Sequence, residues 1–234
     1  MGKRIIARAR GKGGPRYRAP SHRYLGKVSY ASVSGISGIV KDIVRDPGRT
    51  APVAIIKLED GKEILHIATN GLKVGDAISY GGRAAIGNVL PLGSIPIGTR
   101  ISAIETYPNS GPKLCRSSGS FATVVSKSGD SVTLQLSSGK TKQLHANCRA
   151  TIGVPAAGGR TEKPWVKAGK RWHAMTARGK LYPRTVGVAM APVDHPFGGR
   201  KKAPRPSGIV SRHAPPGAKV GSISPKRVGK KKGK

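Results

Sequence analysis

The 234-residue sequence is poor in acidic side chains: ten Asp and Glu stand against 43 Lys and Arg, which gives a formal net charge of +33. A free globular protein with this charge repels itself, so a polyanionic partner is expected. The favoured partner is nucleic acid, and the alternative is an anionic membrane surface.

Long apolar runs are also absent from the sequence. No stretch approaches the roughly 20 apolar residues that a membrane-spanning helix needs. The N-terminus has only Ile5–Ala7 as an apolar run, which is too short for a signal peptide. Ile6 stands where a myristoylation site would have Ser or Thr. The sequence therefore predicts a cytoplasmic protein in a reducing, aqueous compartment, without a membrane partner.

Cysteine is scarce, with Cys115 and Cys148 alone and no CxxC pair. His145 and Cys148 have an HxxC spacing, so a zinc site that included Cys115 would have three ligands. A structural zinc site needs four, and no fourth ligand lies nearby in the sequence. We interpret both cysteines as buried structural thiols and predict no metal and no other cofactor.

The charge is unevenly distributed along the chain. Residues 1–30 hold nine Lys and Arg and no acid, and residues 156–234 hold twenty against two. Residues 31–155 hold fourteen Lys and Arg against eight acids, an ordinary balance for a globular region. The pattern indicates a folded centre between two strongly cationic ends.

Short β-rich segments mark the first part of this centre. Ala54–Leu58 and Glu63–Ala68 flank Asp60-Gly61, a dipeptide favoured in tight hairpin turns. Alternating apolar residues before this hairpin and after it add further strands. About five short strands in some fifty residues predict a small barrel of the oligonucleotide-binding type over residues 34–84.

A second β unit is predicted over residues 85–157. Val132, Leu134 and Leu136 alternate with polar residues, as in a strand with one buried face. About five short strands with tight turns favour an SH3-like barrel. His66 and His145 lie inside strand patterns, and we interpret them as structural or RNA-facing rather than catalytic.

The two ends are predicted to be basic extensions, residues 1–33 and 158–234. The first interleaves Arg with Tyr, which suits phosphate contacts and stacking on exposed bases, although a merely solvated arm is the alternative. Alone, it is expected to be disordered. The second is predicted to contain one short helix with Pro164 near its first turn and one face formed by Trp165, Ala168, Trp172 and Met175. The remainder is expected to be ordered only by a partner.

The predicted fold class is thus all-β, an oligonucleotide-binding barrel followed by an SH3-like barrel, with long basic irregular extensions.

One histidine invites a catalytic interpretation, because His195 lies between Asp194 and Pro196 and imidazole titrates near neutral pH. Adjacency in sequence does not place the carboxylate on the imidazole, and a triad needs a nucleophile and an oxyanion donor on a rigid scaffold. The sequence has no P-loop, no GxSxG and no GxGxxG after a strand. We predict that the protein is not an enzyme, and catalysis by His195 remains the competing hypothesis.

Phosphate neutralisation is the chemistry that the sequence supports. No helix-turn-helix or zinc-finger motif is present to read a DNA major groove, and long irregular arms suit folded RNA. A DNA-compacting protein is the alternative that the charge alone would also explain. The predicted RNA-binding residues are mainly basic and lie in the two extensions: Arg4, Arg8, Arg10, Lys12, Arg16, Arg18, His22, Arg23, Arg160, Lys163, Lys167, Lys170, Arg171, Arg178, Arg184, His195, Gly198, Gly199, Arg200, Lys201, Lys202, Arg205, Arg212, His213, Lys219, Lys226 and Arg227.

Four long motifs carry a resemblance to a known family: KDIVRDPGRTAPVA at 41–54, GNVLPLGSIPIGT at 87–99, GGRTEKPWVKAGK at 158–170 and GVAMAPVDHPFGG at 187–199. The chain resembles the universal L2 family of large-subunit ribosomal proteins in its archaeal form. It departs at Ala191, where asparagine is common, and at Arg200, where a third glycine is common.

The resemblance implies the same two barrels, direct binding and folding of large-subunit rRNA, and a role in subunit association. It also implies other ribosomal proteins and small-subunit contacts as partners, with no small-molecule substrate. The segment that holds His195 would then reach toward the peptidyl-transferase region. In that family the catalytic centre is RNA, so the resemblance makes His195 an RNA contact.

Overall fold

The computed structural model describes residues 2–32, 35–199 and 209–225. The chain divides into two compact units. One unit is Pro20–Lys170, and the other combines Met1–Ala19 with Arg171–Lys234. We call them the barrel unit and the terminal unit.

The first sheet of the barrel unit has four antiparallel strands: β1 (Ser37–Val44), β2 (Val53–Leu58), β3 (Glu63–Ile67) and β4 (Ala77–Ser79), in the order β3-β2-β1-β4. The predicted hairpin is present, with Lys57 opposite Glu63 across the turn. The sheet has four strands where the sequence predicted about five. A bulge between Val40 and Asp42 breaks the β1–β2 register, and such bulges increase local twist.

The second sheet has six antiparallel strands: β5 (Val89–Pro91), β6 (Arg100–Ser102), β7 (Ala122–Ser128), β8 (Ser131–Leu136), β9 (Thr141–His145) and β10 (Arg149–Ile152), in the order β5-β10-β6-β7-β8-β9. The predicted alternation in β8 is present, since Val132 and Leu134 are fully buried and Thr133 between them is not. The sixth strand, beyond the five predicted, extends the sheet that encloses this core.

Each sheet encloses its own apolar core. The first core includes Val40, Ile56, Ile67 and Ile78, and the second is formed mainly by isoleucine, leucine and valine side chains, Leu134 among them. Fully burying one such side chain contributes about 1.5–3 kcal/mol, so each core is a main source of stability for its barrel. The all-β prediction of an oligonucleotide-binding barrel followed by an SH3-like barrel is confirmed.

Helical structure is limited to short segments in the described residues. α1 (Ile6–Gly11) was not predicted, although its alternating Ala and Arg are good helix formers. α2 (Ala168–Thr176) is the predicted helix, but it begins four residues after Pro164. The reason is Val166, whose φ of 64° is left-handed and incompatible with an α-helix, so Trp165 lies outside the helix.

The terminal unit also contains one pair of two-residue strands, β11 (Ile209–Val210) and β12 (Ser222–Ile223), which are parallel. None of the helices in the described residues combines the length and the apolar composition that spanning a membrane requires.

Candidate nucleic-acid interface

The predicted basic residues of the N-terminal extension are all exposed in the structure. Arg8 and Arg10 lie on α1, which buries none of its residues. The side chain of Arg18 donates to the carbonyl of Gly13 and so fixes the turn that follows the helix. The exposed set is Arg4, Arg8, Arg10, Lys12, Arg16, Arg18, His22 and Arg23. Seven arginines and lysines within twenty residues present their charge to solvent, as phosphate binding requires.

The C-terminal basic residues fall into two groups. Arg160, Lys163, Lys167 and Lys170 are exposed in the barrel unit, and Arg171, Arg184, Arg212, His213 and Lys219 are exposed in the terminal unit. Two arginines have local roles as well. The guanidinium of Arg171 lies 4.9 Å from the centre of the Tyr182 ring, and half-buried Arg178 donates through Nε to the carbonyl of Ala174 at 3.0 Å. These contacts hold both side chains in fixed directions.

His195 is buried, with 8% of its surface exposed. Its Nδ1 accepts the backbone N–H of Phe197 at 3.1 Å, and its ring centre lies 4.9 Å from that of Phe197. Because Nδ1 is an acceptor in this arrangement, the neutral ring carries its proton on Nε2. The imidazole is therefore held in one tautomer by its own loop.

Two glycines make this packing possible. A Cβ on Gly187 would lie 2.3 Å from Cε1 of His195, so the imidazole packs directly on the glycine backbone. A Cβ on buried Gly198 would lie 2.4 Å from the carbonyl oxygens of Met190 and Ala191. Gly198 is therefore required for close packing of the loop, while Gly199 is exposed. The predicted RNA contacts of both Gly198 and Gly199 stay predictions.

Asp194 pairs with Lys3 rather than with His195. Its Oδ1 lies 3.4 Å from the Lys3 Nζ, and the Lys3 backbone N–H donates to the carbonyl of Val193 at 2.8 Å. Lys3 thus attaches the N-terminal segment of the chain to residues 187–199, which we call the His195 loop, through Asp194 and the carbonyl of Val193. Neither contact involves the His195 ring, so Asp194 does not orient this imidazole as the acid of a catalytic triad does. Arg200, Lys201, Lys202, Arg205, Lys226 and Arg227, which complete the predicted RNA-binding set, lie outside the described residues.

The sequence did not single out two arginines of the barrel unit. The Nε of Arg49 lies 3.1 Å from Oδ2 of Asp46 in an ion pair, and its Nη2 donates to the carbonyl of Gly26. Partial burial, and to a smaller extent the positive charge of Arg116, lower the pKa of Arg49, while Asp46 raises it. The Asp-Pro-Gly-Arg turn could have drawn attention to Arg49. The effect of Arg116 on it could not have been predicted, because Arg116 lies 67 positions away in the sequence.

Buried polar groups of the barrel unit form a network that joins the two barrels. The Tyr30 hydroxyl donates to the carbonyl of Ala103 at 2.5 Å and lies 2.8 Å from Thr151 Oγ1. Thr151 Oγ1 lies 3.2 Å from Nε2 of His66. Burial lowers the pKa of His66 to about 4 and raises the pKa of Tyr30. His66 is thus neutral and internal, which favours the structural interpretation; His145 is exposed at the end of β9 and accepts the N–H of Asn147.

The two cysteines are free thiols, Cys148 buried and Cys115 half-buried. Burial raises the pKa of both, so both are held in the protonated, less reactive form. Among the residues that the structure describes, no group of three or more His, Cys, Asp or Glu is placed to hold a metal ion.

Comparison with known proteins covers nearly the whole chain. Residues 3–80 match the family model described as the RNA binding N-terminal domain of ribosomal proteins L2, and residues 85–220 match the C-terminal domain of the same proteins. The chain is 49% identical to the large ribosomal subunit protein uL2 of Methanothermobacter thermautotrophicus, over 99% of this chain and 100% of the relative. It is 50% identical to that of Methanothrix thermoacetophila over the same shares, and 49% identical to that of Halorubrum lacusprofundi over 98% of each chain. Two consecutive domain matches and identities near one half over full length show that the chain belongs to the L2 family of ribosomal proteins.

Proposed function

We propose that the protein is a structural constituent of the large ribosomal subunit in the cytoplasm, where it binds large-subunit rRNA and helps to fold it. The observation that carries this proposal is the arrangement of charge: two barrels, each with its own apolar core, are flanked in sequence by extensions whose described basic residues are almost all exposed. The family match, whose N-terminal model is described as RNA binding, supports it. In this proposed role the protein is not a catalyst, and catalysis is carried out by RNA.

Phosphate neutralisation supplies the binding energy in this proposal. Each Lys or Arg placed on a phosphate releases condensed counterions, so affinity falls as salt rises. The glycine-rich extensions can follow the irregular surface of folded RNA, where 2′-hydroxyls and splayed bases are accessible. The residues proposed to make these contacts are those of the predicted RNA-binding set, His195 included.

We propose that the His195 loop contacts rRNA near the peptidyl-transferase region, and that the protein supports subunit association through other ribosomal proteins and small-subunit contacts. The single tautomer of His195 supports a role as a fixed hydrogen-bonding group. The domain limits 1–33, 34–84, 85–157 and 158–234 belong to the same proposal.

A competition experiment tests the proposal. The full chain is bound to a labelled transcript of large-subunit rRNA and is challenged with unlabelled transcript or with duplex DNA of equal length at the same salt. We expect rRNA to compete better than DNA, and affinity to fall steeply as salt rises. Preference for the duplex would favour a DNA-compacting protein instead, and RNA binding that salt does not weaken would contradict the phosphate mechanism.

A further inference from the structure

The turn between β6 and β7 is built on a buried carboxylate. Glu105 is fully buried, and its Oε1 accepts the backbone N–H of Gly111 at 3.0 Å and the Arg149 Nη2 at 3.0 Å. Its Oε2 accepts the backbone N–H groups of Arg149 at 2.9 Å and of Asn109 at 3.3 Å. A longer contact from Arg149 Nε to Oε2, at 3.4 Å, brings the number of donors to five, and together they fix the backbone of residues 105–111.

This fixed turn presents an exposed aromatic ring. Tyr107 is 64% exposed, whereas Tyr30 and Tyr80 of the same unit are 6% and 3% exposed. The backbone beneath it is held locally, since the carbonyl of Tyr107 accepts the N–H of Ser110 at 3.1 Å and Ser110 Oγ accepts the N–H of Thr106 at 3.2 Å. An exposed ring on a preorganised backbone can bind a flat partner with little loss of backbone entropy.

A basic cleft of about 390 Å³ adjoins the same turn. Residues 109–113 of the turn form one wall, and residues 27–30 form the other. Lys27 and Lys113 line the cleft and are exposed, and within the described part of the chain neither forms an ion pair. Arg149 also lines it but is already bound to Glu105 and to the carbonyl of Ala31 at 2.6 Å. Arg116 lines the cleft as well, is exposed, and within the described part of the chain forms no ion pair. Lys27, Lys113 and Arg116 are therefore the charges available to a ligand.

From this placement we propose that the Tyr107 turn and its cleft bind one unpaired RNA nucleotide, with the base stacked on Tyr107 and the phosphate paired with Lys27 and Lys113. The inference rests on the proposed RNA-binding function and adds a site that lies outside the set of basic residues predicted from the sequence. A base inside a duplex is already stacked on both faces, so the aromatic ring selects a splayed or single-stranded nucleotide. An acidic peptide would account for the lysines but would leave the fixed exposure of Tyr107 without a role.

The test uses the full chain and a short fluorescent single-stranded uridine oligonucleotide over a series of salt concentrations. Tyr107→Ala should weaken binding by about five- to a hundredfold, since stacking contributes about 1–3 kcal/mol per base. Tyr107→Phe keeps the ring and should bind within about twofold of the wild type. Tyr107→Ala should leave the salt dependence unchanged. The double variant Lys27→Gln/Lys113→Gln should reduce the slope of log affinity against log salt by roughly 0.7 for each phosphate that is no longer neutralised.

The matched control for the lysine pair is Lys140→Gln/Lys142→Gln, which removes the same charge from the exposed β8–β9 hairpin. In this background, Tyr107→Ala should weaken binding as much as it does in the wild type. Ultraviolet crosslinking of the oligonucleotide should place RNA on the peptide that contains Tyr107. Equal affinities of wild type and Tyr107→Ala, with the rRNA transcript still bound, would overturn the site and leave the proposed function intact. Absence of wild-type binding to both RNAs would overturn both. Binding of polyglutamate that is equal for wild type and Tyr107→Ala but is lost in Lys27→Gln/Lys113→Gln, together with displacement of the oligonucleotide from wild type, would reassign the site to an acidic peptide.

Discussion

The barrel unit and the terminal unit differ most in what they bury. Among the described residues, every buried apolar side chain belongs to the barrel unit except Val220. The terminal unit instead buries His195 and Gly198, which are fixed by backbone hydrogen bonds and by close packing against neighbouring backbone. One unit is stabilised by apolar burial, and the other by polar contacts that are individually weak.

The same contrast separates two uses of charge. In the barrel unit, Glu105 and Asp46 are fully buried, and each is paired with an arginine. In the terminal unit, the described lysines and arginines are mostly exposed, and the single ion pair of the described residues there, Lys3–Asp194, is largely exposed. The buried ion pairs therefore contribute to the fold of the barrel unit, while the exposed basic side chains of the terminal unit are available to a polyanion. Substitutions in the two units should separate stability from RNA affinity.

The largest effect on stability is expected at Glu105. Glu105→Gln keeps the size of the side chain but leaves the Arg149 guanidinium, 17% exposed, without its carboxylate. Removing one partner of a buried pair costs about 3–5 kcal/mol, because the other charge remains buried. Denaturant unfolding of the barrel region, followed by circular dichroism, measures the change. Glu63→Gln removes a partner from the exposed pair with Lys41 and should leave the midpoint unchanged. A similar midpoint for both variants would contradict the distinction between internal and external charge.

The second effect is a pH dependence that His66 gives to the barrels. Its pKa is lowered to about 4 by burial, below the 6.5 of an unfolded histidine. The unfolded state therefore binds an additional proton between these values, so the stability that neutral His66 permits is fully present above pH 6.5 and declines as pH falls toward 4. The decline approaches roughly 3 kcal/mol, since one pKa unit corresponds to about 1.4 kcal/mol.

Denaturant midpoints measured from pH 7 to pH 4 check this dependence. His66→Phe removes the titrating group and should flatten the contribution from this histidine, even if the variant is less stable at pH 7. His145→Gln, at an exposed position of β9, should keep the wild-type slope. A wild-type slope in His66→Phe would assign the effect to other groups.

The features that follow from local pattern were predictable from the sequence. Asp60-Gly61 between alternating runs predicted the β2–β3 hairpin, and the alternation of β8 predicted its buried face, because both depend on neighbouring residues. The start of α2 was not predictable, because helix propensity and the position of Pro164 gave no sign of the left-handed backbone at Val166.

Features that depend on distant residues were missed. Glu105 and Arg149 are 44 positions apart, and the wall of the Tyr107 cleft contributed by residues 27–30 precedes the turn by about eighty. The burial of His195 was missed for a related reason. Burial of the imidazole requires that residue 187 has no side chain. The sequence shows that Gly187 is a glycine but does not show that His195 packs against it. Composition located the basic extensions, but only the fold brings together the groups that face one another.

The double variant Arg8→Gln/Arg10→Gln should have the smallest effect on the stability of the barrels. It should nevertheless weaken RNA binding. Both side chains are exposed on α1, which buries no residue, so the unfolding midpoint of the barrels should not change. Affinity for the rRNA transcript should fall, and the slope of log affinity against log salt should decrease by about 0.7–0.9 for each phosphate that these arginines no longer neutralise. The Lys140→Gln/Lys142→Gln control removes equal charge from the barrel unit and should change the slope less. If the two double variants reduced the slope equally, the RNA would be responding to total charge, and α1 would have no specific place in the interface.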